Sequence, residues 1–256
     1  MAVPSRVDNM CLYTNANFIA HRGLQRHFPE NSILGIEAAI HTGAVNIEVD
    51  VQLSRDGIAL LYHDFDLQRI SAQKGSVSDF DAEQLQEFSA HEPLRFSDKF
   101  QSCKLPLLHD LIAVIKKHPA VHFYIEVKED AINAHGHDYC LRHLGQILQP
   151  VLAQVSLISF DEQIVKQAKS SGLFPKTGIV LRDWASRETV IEATAADIAY
   201  INLTRIPSSE AIQASCPIAV YEIADAALAR STLQRGAAKI ETFAIDKLLQ
   251  ELCLNP

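Results

Sequence analysis

The sequence predicts an α/β fold: an eight-stranded (β/α)8 TIM barrel with a small insertion after a hairpin on the second strand. Three observations carry that expectation. Eight short apolar runs rich in Val, Ile and aromatics recur along the chain. Capped segments of helical period alternate with them. The one extra strand-like run is tied to its predecessor by a turn too short for a parallel crossover.

The runs are FIAHRG (18–23), VNIEVDV (45–51), HFYIEVK (122–128), VSLISF (155–160), KTGIVL (176–181), AYINL (199–203), PIAVYEI (217–223) and KIETF (239–243). Helix ends are legible between them. Asn31 or Ser32 opens ILGIEAAIHT and Gly43 closes it; Asp161 and Gly172 bracket EQIVKQAKSS; Asp225 and Gly236 bracket AALARSTLQR. The extra run, IALLYHD (58–64), follows the second strand after SRDG alone, so it folds back as an antiparallel hairpin. With Asp56-Gly57 as a two-residue turn, Arg55 pairs with Ile58 and Asp50 falls opposite His63 on a shared face. From about residue 64 to 106 the chain departs from the βα rhythm, and a D-x-x-Q capping box at Asp81 and Gln84 marks a helix there. That stretch reads as a small flap over one barrel end, within a single domain spanning 1–256.

Composition narrows the function. Hydrophobic residues make up 48% of the 256 residues, enough for a large core. The formal net charge of -8 argues against a nucleic-acid partner or a polybasic membrane anchor. The first residues, MAVPSRVDNMCLYTNANF, contain no apolar segment of the signal-peptide kind, and no apolar run is long enough to span a bilayer. The five cysteines, Cys11, Cys103, Cys140, Cys216 and Cys253, are odd in number and form no CxxC, which suits reduced thiols and a cytoplasmic setting.

Barrel chemistry sits at the C-terminal ends of the strands. Here those ends carry His21 and Arg22, then Glu48 and Asp50, then His63 and Asp64 on the hairpin return, then Glu126 and Lys128. Residues two apart on a strand share a face, so Glu48 and Asp50 point the same way, as do Glu126 and Lys128. Three carboxylates brought together repel unless a cation lies between them. All-oxygen ligation suits one hard divalent ion, Mg²⁺ or Ca²⁺. Two histidines beside it suggest proton transfer. Arg22 offers a fork to a phosphate and Lys128 a second positive charge. Together these describe phosphoryl transfer on a small-molecule phosphodiester.

In this order, HRG…PENS, IEVDVQLSRDG, LLYHD, YIEVK and ISF resemble the glycerophosphodiester phosphodiesterase family, most strongly from residue 18 to about 130. The resemblance implies a barrel with an inserted subdomain that hydrolyses glycerophosphodiesters to glycerol 3-phosphate and an alcohol with a divalent ion. By position, it implies catalytic roles for His21 and His63, metal ligation by Glu48, Asp50 and Glu126, and phosphate contacts for Arg22 and Lys128. It further implies that a substrate hydroxyl attacks first, giving a cyclic phosphate that water opens. Two other readings stay open: a related phospholipase-type enzyme, and a barrel that binds a phosphodiester or metal without turnover.

Some features sit outside the resemblance. Where the family has W-T-V-N, this chain has Tyr221-Glu222-Ile223-Ala224; Tyr221 keeps an aromatic wall for substrate, and in a regular strand Glu222 points away from it. The T-D-x-P of the last strand is replaced by Thr242-Phe243-Ala244-Ile245. Asn31 reads as a helix start and Glu30 as a partner of Arg22 or the metal. AHGHDYC (134–140), with His135 and His137, reads as loop and helix cap. Ser159 and Phe160 read as strand-end packing.

Overall fold

The computed structural model describes residues 13–252 and 254; Cys11, Cys253 and most of the N-terminal stretch read above lie outside the described residues. In chain order the strands and helices are β1 (Phe18–His21), α1 (Ile33–His41), β2 (Asn46–Leu53), β3 (Ala59–Leu61), α2 (Gln68–Ser71), α3 (Ala82–Leu85), α4 (Pro93–Phe96) and α5 (Leu108–Lys117). There follow β4 (His122–Val127), α6 (Glu129–His135), α7 (His137–Leu148), β5 (Val155–Ser159), α8 (Glu162–Ser171), β6 (Thr177–Val180), α9 (Arg187–Thr194), β7 (Ile198–Asn202), β8 (Ile218–Tyr221), α10 (Ala226–Gln234), β9 (Lys239–Thr242) and α11 (Ile245–Glu251). Every strand but β3 joins a parallel ring in the order β1-β2-β4-β5-β6-β7-β8-β9, and β9 pairs back onto β1. This is the closed (β/α)8 barrel that the alternation of runs and caps predicts.

Alternation along each strand divides the core in two. Ile47, Val49 and Val51 point outward into the layer shared with the helices, as do Phe123, Ile125 and Val127. Inside the ring, Ile19, Tyr124, Ile158, Val180, Ile198, Tyr200 and Ala219 form a smaller apolar plug. A fully buried aliphatic side chain stabilises by roughly 1.5–3 kcal/mol. The inward set stops being apolar at the C-terminal rim, where Glu48, Asp50 and Glu126 replace hydrocarbon. Below the plug, His122 Nε2 lies 2.8 Å from Ser156 Oγ.

The caps behave as read, with one exception. Ser32, not Asn31, caps α1 and accepts from Gly35 N at 3.1 Å. Asp161 accepts from Ile164 N and Asp225 from Leu228 N, each at the head of its helix. Gly23 (φ +83°) has a different necessity: a Cβ there would lie 2.7 Å from the carbonyl carbon of Gly35. The strand end and α1 therefore touch backbone to backbone.

The hairpin forms, but one residue out of the predicted register. Val51 pairs with Leu61 and Leu53 with Ala59, which sets Asp50 opposite Tyr62 rather than His63. Tyr62 N donates to Asp50 O at 3.0 Å. The loop has three residues, Arg55-Asp56-Gly57, closed by Ser54 N to Ile58 O at 3.0 Å, with Gly57 left-handed at φ +80°. Asp56 cannot serve a tighter turn because its Oδ1 is engaged by Ser54 Oγ and, across the insertion, by Ala82 N. β3 ends at Leu61, so Tyr62 turns into the insertion and His63 turns to the barrel mouth.

Residues 64–106 wrap around a core of their own, built from Leu60, Tyr62, Leu67, Ile70, Val77, Leu85, Ala90 and Leu105. At the head of α3, Asp81 N donates to Gln84 Oε1 as the capping box requires, and Arg55 grips the Asp81 carboxylate with two nitrogens.

Candidate active site

The ends of the strands converge on one cavity of about 360 Å³ at the C-terminal rim. Its lining includes His21, Arg22, His63, Glu126, Lys128 and Tyr221, six of the eight residues singled out in the sequence. The other two, Glu48 and Asp50, are each 1% exposed and form its floor. Ligand oxygens from Glu48, Asp50 and Glu126 lie within 4.8 Å of one another.

The floor carries more negative charge than its surroundings neutralise. Burial, then the charges of Asp50, Glu241 and Glu126, push the Glu48 carboxyl well above the usual carboxylate range. Burial also raises Glu126, against the pull of Lys128. Asp50 goes the other way: although burial opposes it, Arg22 and Lys128 hold it far below that range. Glu48 Oε1 is buried with no hydrogen-bond partner. An orphaned carboxylate oxygen beside two further carboxylates is the donor set a hard divalent cation needs, so these residues fit such an ion.

Asp50 is held from three sides. Arg22 Nε lies 2.9 Å from Oδ2, and Lys128 Nζ lies 3.4 Å from Oδ1 and 2.7 Å from Glu126 Oε1. The third contact comes from Asn31, whose Nδ2 donates to Asp50 Oδ2 at 2.8 Å and whose Oδ1 accepts from Asp50 N at 3.0 Å. The reading of Asn31 as a helix start is therefore corrected. Its backbone is left-handed (φ +56°), a conformation that Asn tolerates better than most residues, and this aims its amide back at β2.

Glu30 is indeed a partner of Arg22, accepting from Nη1 at 3.0 Å. It also accepts two hydrogen bonds from Arg69, at 2.7 and 2.8 Å. Arg69 comes from α2 in the insertion and grips both oxygens of Asp64, with Nε to Oδ2 at 2.7 Å and Nη2 to Oδ1 at 2.8 Å. Asp64 in turn faces His63 Nδ1 at 2.7 Å. Burial raises the Asp64 carboxyl, but His63 and Arg69 outweigh it and keep the group ionised. An ionised acceptor at Nδ1 fixes the proton there and leaves Nε2 as the nitrogen with a free lone pair.

His21 sits deeper. Burial and the Arg22 charge depress its pKa well below the ordinary histidine value. Its Nε2 lies 3.8 Å from Glu48 and 3.7 Å from Glu241, and its Nδ1 lies 3.7 Å from Glu222. This corrects the expectation for Glu222. β8 ends at Tyr221, so strand alternation no longer governs the next residue, and both Tyr221 and Glu222 line the cavity.

A family model described as the glycerophosphoryl diester phosphodiesterase family matches residues 21–167, more than half of the chain. The chain belongs to the glycerophosphoryl diester phosphodiesterase family. Among its relatives, a glycerophosphodiester phosphodiesterase of Bacillus altitudinis is 35% identical over 109 residues, 43% of this chain and 44% of that protein. Another, from Caldanaerobacter subterraneus subsp. tengcongensis, is 36% identical over 97 residues, 38% of this chain and 39% of that protein. The matches thus span half or less of these relatives' lengths. The fold is similar to that of an Oleispira antarctica phosphodiesterase solved with sn-glycerol-3-phosphate: TM-score 0.78 at 20% identity, covering 93% of this chain and 96% of that one. It is also similar to the Agrobacterium tumefaciens glycerophosphodiester phosphodiesterase: TM-score 0.75 at 23% identity, covering 92% and 99%.

Within this family member several cavity residues escape the sequence reading. Arg69 lies in the insertion, where no strand or motif announces it. Glu241 had a signal, a charged residue in the buried run KIETF. Tyr200 looks like any apolar strand residue, and Phe160, read as packing, lines the cavity with Arg182 over its ring. The expectation of a loop and helix cap at 134–140 is corrected: His135 ends α6 and His137 opens α7 with only Gly136 between them. Their side chains turn to separate partners, His135 Nε2 2.9 Å from Ser54 O and His137 Nε2 3.0 Å from Asp161. Cys103, Cys140 and Cys216 are free thiols. No helix of the described residues is long and apolar enough to cross a membrane.

Proposed function

We propose that this chain hydrolyses glycerophosphodiesters to glycerol 3-phosphate and an alcohol, with one divalent ion, Mg²⁺ or Ca²⁺, and histidine acid–base catalysis. The observation that carries the reading is the sharing of one cavity by His21, His63, Arg22 and Lys128 above three convergent carboxylates. Glu48, Asp50 and Glu126 would hold the ion. When bound, it supplies a positive charge for phosphate oxygens and polarises the phosphorus centre.

The residues of the chain supply the rest. Arg22 Nη1 donates to Glu30, and Nε ion-pairs with Asp50 without a hydrogen bond. Nη2 makes no hydrogen bond among the described residues, so one arm of the fork remains for a phosphate oxygen. Lys128 adds a second cation from β4. One imidazole accepts the proton of the attacking oxygen as its bond to phosphorus forms. The other donates a proton to the alcohol oxygen as the opposite bond breaks. Asp64 keeps His63 Nε2 free for one of those roles.

The named relatives and the glycerol 3-phosphate of the Oleispira structure support this substrate class. The acidic charge and free thiols favour a small water-soluble substrate in a cytoplasm, handled by one barrel domain with its inserted flap. The test is hydrolysis of a panel of glycerophosphodiesters with and without chelator. Turnover in the panel that stops with EDTA and returns with Mg²⁺ or Ca²⁺ supports the reading; binding without turnover overturns it.

A further inference from the structure

The cavity has a second polar wall that phosphodiester hydrolysis does not use. Around the ring, β7, β8 and β9 are consecutive, and β7 and β8 lie across the barrel from β2 and β4. This arc carries Tyr200, Tyr221, Glu222 and Glu241 into the cavity, and no Lys or Arg of the arc lines it. Tyr200 is 1% exposed, and its hydroxyl has no hydrogen-bond partner. Glu241 is buried, and among the described residues its side chain makes no hydrogen bond: His21 Nε2 lies 3.7 Å away, beyond hydrogen-bond reach, and a Glu48 oxygen lies within 4.8 Å. Glu222 stands at the mouth, its side chain 47% exposed, likewise 3.7 Å from His21. Buried polar groups left unpaired are costly, so groups facing a cavity in this state call for a ligand.

The charges identify the ligand. Arg22, Lys128 and Arg69 line the side that takes a phosphate together with their partners Asp64 and Glu126, whereas the other side carries Glu222 and Glu241 with no Lys or Arg beside them. A zwitterion of short span fits that polarity. A primary ammonium has three N–H donors and no acceptor, matching the acceptors of Glu222, Glu241 and Tyr200. A quaternary ammonium has no N–H to give them. A neutral alcohol brings no charge to offset two carboxylates.

We infer that the β7–β9 wall is a specificity subsite for a primary ammonium on the leaving alcohol, so that amino-alcohol glycerophosphodiesters are the preferred substrates. The inference rests on the phosphodiesterase reading above. It assigns Glu222, Glu241 and Tyr200 to substrate selection, whereas Arg22 and Lys128 hold the phosphate common to all substrates.

The test compares kcat/KM for glycerophosphoethanolamine with that for glycerophospho-n-propanol, in which CH₃ replaces NH₃⁺, and with that for glycerophosphocholine. The ammonium substrate is expected to lead both by about tenfold or more, as expected for an unmade charge-assisted hydrogen bond. Glu241→Gln, Glu222→Gln and Tyr200→Phe should each shrink that ratio. General damage to folding or chemistry cancels from a ratio, and Tyr200→Phe removes a single oxygen. A wild-type ratio near one, or a ratio that survives all three substitutions, overturns the inference while leaving the phosphodiesterase reading intact. So does loss of a second bound Mn²⁺ in Glu241→Gln with the ratio unchanged, which would make the wall a metal site. If wild type turns over none of the three, the phosphodiesterase reading fails, and calorimetric binding of the same three compounds still decides the subsite.

Discussion

His63 Nδ1 lies 2.7 Å from Asp64 Oδ1, and the same oxygen accepts from Arg69 Nη2 at 2.8 Å. A carboxylate shared between an imidazole and a guanidinium sets both the tautomer and the tilt of His63. Asp64→Asn should therefore lower kcat by about a hundredfold, because an amide can present the wrong group to Nδ1. Arg69→Gln should lower kcat by about 10- to 100-fold through a misplaced Asp64. Arg69→Lys should recover only part of it, since one ammonium cannot make the four hydrogen bonds that Arg69 gives Asp64 and Glu30. Steady-state kinetics with the pH profile of kcat for each variant check this. An unshifted profile in Asp64→Asn would show that Asp64 does not govern His63.

The carboxylate floor predicts a metal effect on stability as well as on activity. An ion at Glu48, Asp50 and Glu126 relieves their repulsion, so saturating Mg²⁺ or Ca²⁺ should raise Tm. At about a hundred times Kd the stabilisation is about 2.7 kcal/mol. In the Glu48→Ala, Asp50→Ala double variant both activity and the ion-dependent part of Tm should vanish. Differential scanning calorimetry with and without the ion reads the second effect without any turnover.

His21 and His63 should divide the proton transfers. Each single His→Ala change is expected to lower kcat by about a hundredfold or more. The double change should cost less than the product of the two, because the pair acts as a unit. The variant rescued by an alcohol leaving group of low pKa has lost the acid. Near-normal turnover in both single variants would make the imidazoles structural.

Asn31 separates backbone from chemistry. Asn31→Gly accepts the left-handed backbone but removes both bonds to Asp50, so it should lose activity and lower Tm by the cost of the unpaired Asp50 N–H alone. Asn31→Ala loses the same bonds and adds backbone strain of about 1 kcal/mol or more, so its Tm should fall further. Equal melting of the two variants would mean that the conformation costs nothing at this position.

His122, at the other end of the barrel, predicts an acid-side effect on stability. Burial, with help from Lys176 and Lys239, lowers its pKa to about 4. The fold therefore excludes a proton that the unfolded chain accepts at the ordinary value of 6.5. This contribution is complete above that value and is lost as pH falls from there to about 4. Chemical denaturation of His122→Gln across that range should show a shallower decline than wild type.

Strand ends and periodicity made most of this legible. Charged residues two apart in apolar runs exposed Glu48, Asp50, Glu126 and Lys128, because nothing but a site explains them there. The hairpin was legible but its register was not, since Asp56 is bound by Ala82 N from a segment that no local turn rule includes. Asn31 was hidden by chemistry: a polar residue before a helix reads as a cap whether or not its side chain turns the other way. Glu222 was hidden because alternation was extended one residue past the end of β8. Arg69 lay beyond any pattern, as its partners are remote in sequence.

The path Asp50–Arg22–Glu30–Arg69–Asp64–His63 crosses from the barrel into the insertion and back. The inserted part is built on four-residue helices around a small separate core, features of a segment that opens before the rest. Its opening would withdraw Arg69 and release both Glu30 and Asp64 while the eight-stranded ring stayed closed. The lifetime of the site on heating would then be set by the least durable part of the chain. A single protease nick there would silence a molecule that still looks native by circular dichroism.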